Sequence, residues 1–318
     1  MVKPHIVLVT PALAAANNGN WQTARRWAGM LGEAYRVTLT TDGCGVTADA
    51  MIALHARRSA ASIAHWAQAH PGQGLAVVLT GTDLYRDIQT DAQAQHSLRC
   101  AQSLVVLNEC GAQALPPALR GKVRVVLQSC TSRATLPKTA RHLRALAVGH
   151  LRAEKAPWTF WHAAQALQAR EDLLFDHVGA ALDASLGRQA QALAAQHPRF
   201  RWLGPLPRAQ ARRRIQAAHV LVHPSTMEGG AHVVIEALRS GTAVLASRVD
   251  GNVGLLGADH PGLFEPGDEA RLAALLATCR DEPSLLPRLL AAGAARAVRF
   301  SPAREQAALF SLMEDLLG

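Results

Sequence analysis

Short apolar runs alternate with longer amphipathic stretches along almost the whole of this 318-residue chain. That rhythm constrains the fold more than any other feature, because repeated strand–helix–strand units close only as parallel sheets covered by helices. In the first half, strands are predicted at 5–9, 36–40, 76–80, 104–107 and 123–127, with helices over 21–31, 59–69 and 92–101. The pattern restarts with strands at 145–148, 173–175, 200–203, 220–222 and 243–246, and helices at 158–170, 185–197, 209–218, 233–240 and 269–276. The stretch 131–143 carries Pro137 and no apolar period, and reads as a linker. A last helix is signalled by Ser301 as cap and Pro302 in its first position. The reading is α/β, with two Rossmann-like domains whose parallel sheets face a central cleft, a first domain over 1–136 and a second over 137–300.

Composition removes several function classes. The net charge of +9 is mostly arginine, but the densest cluster, Arg212-Arg213-Arg214, lies in a helical pattern and reads as a solvated face. Without a basic run interleaved with aromatics, a nucleic-acid partner is not expected; the charge suits phosphate-bearing substrates. Five cysteines stand without metal-type spacing, so neither disulfides nor zinc are expected. The apolar run at 5–9 is too short for a signal peptide or a span, so no membrane partner and a cytoplasmic location are expected.

The richest segment for chemistry is 220–247. An apolar strand, Val220-Leu221-Val222, runs into His223-Pro224-Ser225-Thr226-Met227-Glu228, then Gly229-Gly230, then a helix that contains Glu236. A strand, a glycine turn and a helix start leave backbone N–H groups for an anion such as a diphosphate. Two carboxylates with seven residues between them, one at the turn and one about two turns into the helix, accept hydrogen bonds from sugar hydroxyls. This grammar is that of a nucleotide-sugar site.

In the first half, Asn17-Asn18-Gly19-Asn20-Trp21-Gln22-Thr23-Ala24-Arg25-Arg26 follows the first strand and opens a helix. Amide and guanidinium side chains beside a helix start suit a small oxyanion; the plainer reading is a capped helix with Trp27 and Leu31 in the core. Leu54-His55-Ala56-Arg57-Arg58-Ser59 precedes another helix, and Thr80-Gly81-Thr82-Asp83 leaves a strand end. Both segments are candidates for the acceptor side. Only one of the adjacent Arg57 and Arg58 is expected to face a ligand, and structural hydrogen bonds are the other reading of His55 and Asp83.

The segment 223–247 closely resembles the signature of glycosyltransferase family 4 on the GT-B fold. That resemblance implies that Glu236 binds the ribose hydroxyls of the nucleotide, Glu228 binds hydroxyls of the donor sugar, and the backbone at Gly229, Gly230, Ala231 and His232 holds the diphosphate. Gly149-His150-Leu151-Arg152-Ala153-Glu154-Lys155 looks like the family segment whose cations neutralise the leaving diphosphate, a role that falls on Lys155. His150 stands where the family usually has arginine, with Arg152 the candidate to compensate.

A narrower resemblance, to the selenosugar synthases of selenoneine biosynthesis, rests on 18–27, 54–60, 78–88 and the Trp202-Leu203-Gly204-Pro205-Leu206-Pro207 segment. It implies a UDP-linked hexose as donor, UDP-N-acetylglucosamine or UDP-glucose, and selenophosphate as acceptor. The donor is then a substrate, and neither cofactor nor metal is expected. Acceptor contacts would come from Asn18, Gly19, Asn20, Gln22, Thr23, Arg25, Arg26, His55, Arg57, Thr82 and Asp83, and Gly204 would lie on the nucleotide side. The C-terminal helix over 301–318 is expected, by resemblance alone, to pack back on the first domain. The alternatives are a family 4 transferase with a hydroxyl acceptor, a UDP-sugar epimerase, and a non-catalytic UDP-sugar-binding module.

Overall fold

Strands such as His5–Val9 and Leu75–Leu79 are buried at every position, as sheets covered on both faces require. The structure, a computed structural model, describes residues 3–13 and 19–318. It divides by contact into a first unit of Met1–Ser129, Glu228–Gly230 and Pro302–Gly318 and a second of Cys130–Met227 and Ala231–Ser301. Among the described residues no helix is long and apolar enough to cross a membrane.

The first unit holds six parallel strands, β1 (His5–Val9), β2 (Arg36–Thr40), β3 (Ala50–Leu54), β4 (Leu75–Leu79), β5 (Ser103–Val106) and β6 (Val123–Val125). Their order is β2-β1-β3-β4-β5-β6. The sequence reading lacks β3. Its Ala-Met-Ile-Ala-Leu run is diluted by two alanines, yet all five residues are buried, and it pairs with both β1 and β4. Tertiary burial here overrides weak local propensity. The correction matters because β3 creates the point where strand order reverses. From β1 the chain goes one way to β2 and the other way to β3, so a crevice opens beyond the carboxyl ends of β1 and β3.

Alternate residues of β1 enter separate cores. Val7 and Val9 pack with Ile63 and Trp66, whereas Ile6 and Leu8 pack with Trp27 and Leu31 of the helix Gly19–Leu31 and with Leu309, Leu312 and Met313 of the C-terminal helix Pro302–Leu317. Glu305, 1% exposed, ties the two helices: its carboxylate accepts from Arg26 Nε (2.8 Å) and Nη2 (2.9 Å), Trp27 Nε1 (2.7 Å) and Ser129 N (2.9 Å).

The second unit repeats the plan with β7 (Leu143–Val148), β8 (Leu173–Val178), β9 (Phe200–Trp202), β10 (Val220–His223), β11 (Ala243–Ser247) and β12 (Leu263–Phe264), all parallel, ordered β12-β11-β10-β7-β8-β9. The reversal falls between β7 and β10, which aims the loops 149–156 and 224–227 at one crevice. Here β7 begins at Leu143, inside the stretch expected to be linker. Two unforeseen helices are Asp250–Leu256, whose pattern Gly251 and Gly254 weaken, and Leu285–Ala297, which holds Pro287 in its first turn, where a missing N–H costs no helical bond.

Candidate functional site

In the second unit, β10 delivers the chain to Ala231, the N-cap of a short helix, His232–Leu238, that opens without a side-chain cap. Glu236 lies on this helix and is 5% exposed. Around its Oε1 stand His232 Nδ1 at 3.4 Å, Arg208 Nη2 at 3.6 Å and Arg212 Nε at 3.6 Å. Burial pushes the carboxyl pKa up, but the hydrogen bond to His232 and the charges of His232, Arg208 and Arg212 prevail and leave it below the usual glutamate value. Glu236 is thus an anion held in place by cations.

Arg212 corrects the sequence reading. Instead of lying on a solvated face it is 9% exposed, and its Nη2 donates to Thr131 O at 2.8 Å while Nη1 reaches Thr131 Oγ1 at 3.2 Å. The helix Arg208–Ala217 has its apolar period broken by consecutive arginines, so sequence alone did not show which one turns inward. The four-residue spacing that puts Arg208 and Arg212 on one face was the available signal.

The loop after β7 carries the other second-unit candidates. Lys155 ends a short 3-10 turn, Ala153–Lys155, and its stem lies along Gly149, 3.6 Å from where a Cβ there would stand. Ala156 follows in the left-handed region (φ 40°), the turn that lets Pro157 start the next helix. His150 Nδ1 accepts from Ala180 N at 3.1 Å, which places its proton on Nε2. Burial, then Arg152 and Lys155, lower its pKa, which disfavours the charged ring that the family's arginine would supply. Arg152 is exposed. Beneath this loop, buried His177 takes a hydrogen bond on Nδ1 from Trp161 Nε1 (3.0 Å) and so turns Nε2 to Gly149 O at 3.2 Å. Burial pushes the His177 pKa down to about 4. Thr226 N bonds Glu154 O at 3.0 Å, joining the loops after β10 and β7. Gly204, left-handed at φ 65°, follows β9, and its carbonyl accepts from Gly179 N at 2.9 Å.

The tripeptide Glu228–Gly230 groups with the first unit. Glu228 is 8% exposed. Asn108 Nδ2 donates to Gly229 O at 2.7 Å, a Cβ at Gly229 would overlap the Thr80–Gly81 backbone, and one at Gly230 would stand 2.8 Å from Leu107 Cβ. The glycine pair is thus required by close packing.

Elsewhere in the first unit, the helix Gly19–Leu31 and the segments after β3 and β4 hold the expected acceptor residues described. Asn18 lies outside the described residues. Gly19 and Arg25 are exposed; Asn20 and Gln22 are partly buried. Three expected acceptor ligands prove to be committed elsewhere. Arg26 gives both Nε and Nη2 to Glu305. Thr23, 3% exposed, donates to Gly19 O (2.9 Å) and accepts from Gln128 Nε2 (2.5 Å). Asp83, fully buried, accepts from Thr80 N (2.8 Å) and Gly81 N (2.9 Å) on one oxygen and from Ala56 N (3.0 Å) on the other. It fastens the loop after β3 to the loop after β4, the structural alternative for this residue.

His55 sits at the end of β3 with φ 73°, in the left-handed region that side chains other than glycine and asparagine rarely adopt. It is 2% exposed, and its Nε2 lies 3.1 Å from Thr82 Oγ1. Burial lowers its pKa, with Arg58 and Arg57 acting the same way and Asp83 and Asp87 opposing them. Asp87, which the sequence reading passed over, puts Oδ2 3.6 Å from Arg57 Nε and 3.9 Å from His55 Nε2. It belongs to a π-helical turn, Asp83–Asp87, a local form that hydrophobic period does not announce. Among the described residues no group of three acidic, histidine or cysteine side chains could hold a metal ion.

The family model for glycosyl transferases group 1 matches residues 131–294, more than half of the chain. A comparison with curated proteins finds no match. Among solved structures, sucrose-phosphate synthase from Thermosynechococcus elongatus is similar over 99% of both chains, with TM-score 0.78 and 16% identity. Anabaena HepE in complex with UDP and glucose is similar over 98% of this chain and 99% of its own, with TM-score 0.75 and 16% identity. A mutant of S. aureus TarM in complex with UDP and alpha-GlcNAc-glycerol matches 83% of this chain with TM-score 0.67 and 12% identity, and this chain spans 56% of its length. These likenesses establish the fold, two Rossmann-like α/β domains of GT-B type.

Proposed function

The chain belongs to the glycosyl transferases group 1 family, and from that premise we propose that it transfers a hexose from UDP-N-acetylglucosamine or UDP-glucose to the selenium of selenophosphate, as a step of selenoneine biosynthesis. The observation that carries the donor half is Glu236, a buried anion fixed by Arg208, Arg212 and His232 where a ribose diol would be read. The backbone at Gly230, Ala231 and His232 holds the diphosphate, Glu228 grips the hexose, and Lys155, with His150 as neutral donor, meets the charge that develops on the leaving group. Arg152 adds positive potential from solvent. The reading agrees with the UDP present in HepE and TarM.

In the acceptor half, selenium is already an anionic nucleophile. Its lone pair forms the C–Se bond as the bond from C1 to the diphosphate oxygen breaks, and UDP leaves with that electron pair. Water then takes the phosphoryl group as orthophosphate, and the 1-seleno sugar remains. No general base is required. This suits His55, whose two ring nitrogens are both engaged, better than a hydroxyl acceptor that must lose a proton. Asn18, Gly19, Asn20, Gln22, Arg25, Arg57 and Thr82 keep their proposed place around the acceptor. The reaction is a cytoplasmic one on small-molecule substrates.

The test is UDP release from each UDP-sugar with and without selenophosphate, with products read by mass spectrometry. Selenophosphate-dependent release with a selenium-bearing hexose is expected. Turnover only with hydroxyl acceptors would overturn the selenium step and keep the transferase. Acceptor-independent conversion of the donor would point to an epimerase, and binding without turnover to a sensor.

A further inference from the structure

We propose that His55 is a positioning residue that fixes the Thr82 hydroxyl as a hydrogen-bond donor to the acceptor anion. The inference rests on the reading above and gives it a specific atom. Arg58 N–H donates to His55 Nδ1 at 3.3 Å. A backbone N–H can only donate, so Nδ1 is the unprotonated nitrogen and the ring proton is on Nε2. That proton is directed at Thr82 Oγ1, 3.1 Å away. A hydroxyl that receives a hydrogen bond at one lone pair turns its own proton away from the donor. The chain of donors therefore runs from the Arg58 amide through the imidazole to the Thr82 O–H, and it ends on a half-buried side chain.

Three features argue that this relay is built for a ligand. Backbone strain is retained at His55, where φ is 73°, and such strain persists where surrounding structure over-determines it. The anchor is rigid, since Asp83 bonds Ala56 N next to His55 and Thr80 N and Gly81 N just before Thr82. Charge lies beside it: Arg57 Nε and His55 Nε2 stand 3.6 and 3.9 Å from the same Asp87 oxygen, without a hydrogen bond to it, so a half-exposed guanidinium lies near the same imidazole as the hydroxyl. One fixed O–H donor beside Arg57, whose charge Asp87 partly offsets, stands at the carboxyl ends of adjacent strands and can donate to an oxyanion of phosphate type.

The experiment compares Thr82→Val, Thr82→Ser, His55→Asn and the double variant Thr82→Val/His55→Asn. Asparagine tolerates the left-handed backbone but places its amide too short to reach Thr82. Thr82→Val and His55→Asn are expected to raise KM for selenophosphate about tenfold, as expected for one lost hydrogen bond to a charged group, with KM for the UDP-sugar within about twofold of wild type. Thr82→Ser keeps wild-type KM. The double variant is no worse than Thr82→Val, because His55 acts through that hydroxyl. Additive losses, or equal losses for both substrates, would overturn the relay.

Two readouts do not need turnover. Ring-nitrogen NMR of histidine-labelled protein is expected to show His55 as the Nε2–H tautomer; an Nδ1–H ring sinks the proposal. Titration with inorganic phosphate is expected to show weaker binding to Thr82→Val than to wild type. If wild type binds phosphate in this way but never uses selenophosphate, the functional reading fails and the relay stands. If Thr82→Val binds phosphate as wild type does, the relay fails whatever the reaction.

Discussion

Arg212 reaches Glu236 with one edge of its guanidinium, 3.6 Å from Oε1, and holds the carbonyl of Thr131 at 2.8 Å with another. The carboxylate assigned to the nucleotide is therefore braced through an arginine against the segment where the chain enters the second unit. Arg212→Ala is expected to weaken UDP binding about tenfold, the scale of a charge-assisted contact, with calorimetric titration as the check. The folded-state pKa of Glu236 is lowered, so the anion persists down into the ordinary carboxylate range and is lost only as pH falls through the depressed value. UDP binding in Arg212→Ala should start to fail at a higher pH than in wild type; identical profiles would remove Arg212 from the site.

Glu305→Ala should act on stability and leave UDP affinity alone. It removes the partner of Arg26, Trp27 and Ser129 and leaves a guanidinium 14% exposed with nothing to neutralise it. A loss of about 3–5 kcal/mol is expected for breaking one side of a buried pair, read by urea unfolding. Arg26→Ala should match it in direction. If Arg26→Ala instead leaves stability intact and raises KM for selenophosphate, its original reading as an acceptor ligand is restored.

His177 gives a pH dependence of folding. Its pKa is about 4 in the folded protein against 6.5 unfolded, so between those values the unfolded chain binds the extra proton. The stabilising contribution is complete above pH 6.5, falls as pH drops, and is gone below about 4. The span is roughly 3 kcal/mol. His260, also lowered to about 4 by burial, adds in the same direction. Urea midpoints measured between pH 7 and 4 should fall, and His177→Gln should flatten part of that fall.

Gly179→Ala tests the loop after β7 sterically. Gly179 has φ 157°, and a Cβ there would overlap the Gly149 carbonyl and crowd His150. Displacement of Gly149 should move Lys155, lying along it, and lower kcat more than tenfold, about 1.4 kcal/mol or more of barrier. Gly121→Ala is the control, since nothing lies within 4 Å of a Cβ at that position. A normal kcat in Gly179→Ala would mean that the loop yields without consequence.

The sequence revealed most of the second unit because its central strand β10 is dense in valine and leucine and the turn between β10 and the next helix is marked by two glycines. Glu236 was legible for the same reason. β3 was not, since burial of Ala50 and Ala53 depends on neighbours far along the chain, and with it the switch point that brings the loops of β1 and β3 side by side went unseen. Arg26, Thr23 and Asp83 were read as ligands because their types and spacing suit an anion. Their partners, Glu305, Gln128 and the amides of Ala56, Thr80 and Gly81, are remote or hidden in loop geometry that no spacing encodes. Arg212 erred the other way, a buried charge disguised in a run of three.

The helix Pro302–Leu317 supplies Leu309, Leu312, Met313 and Leu316 to a core whose other members begin at Ile6. On a ribosome, β1 through β6 emerge first but wait, with that sheet face covered only by the helix Gly19–Leu31, while every residue of the second unit is made. The last residue of the second unit is Ser301. Birth order and completion order are therefore inverted: the second unit has all its residues at Ser301, whereas the first lacks part of its core until Leu316 is made.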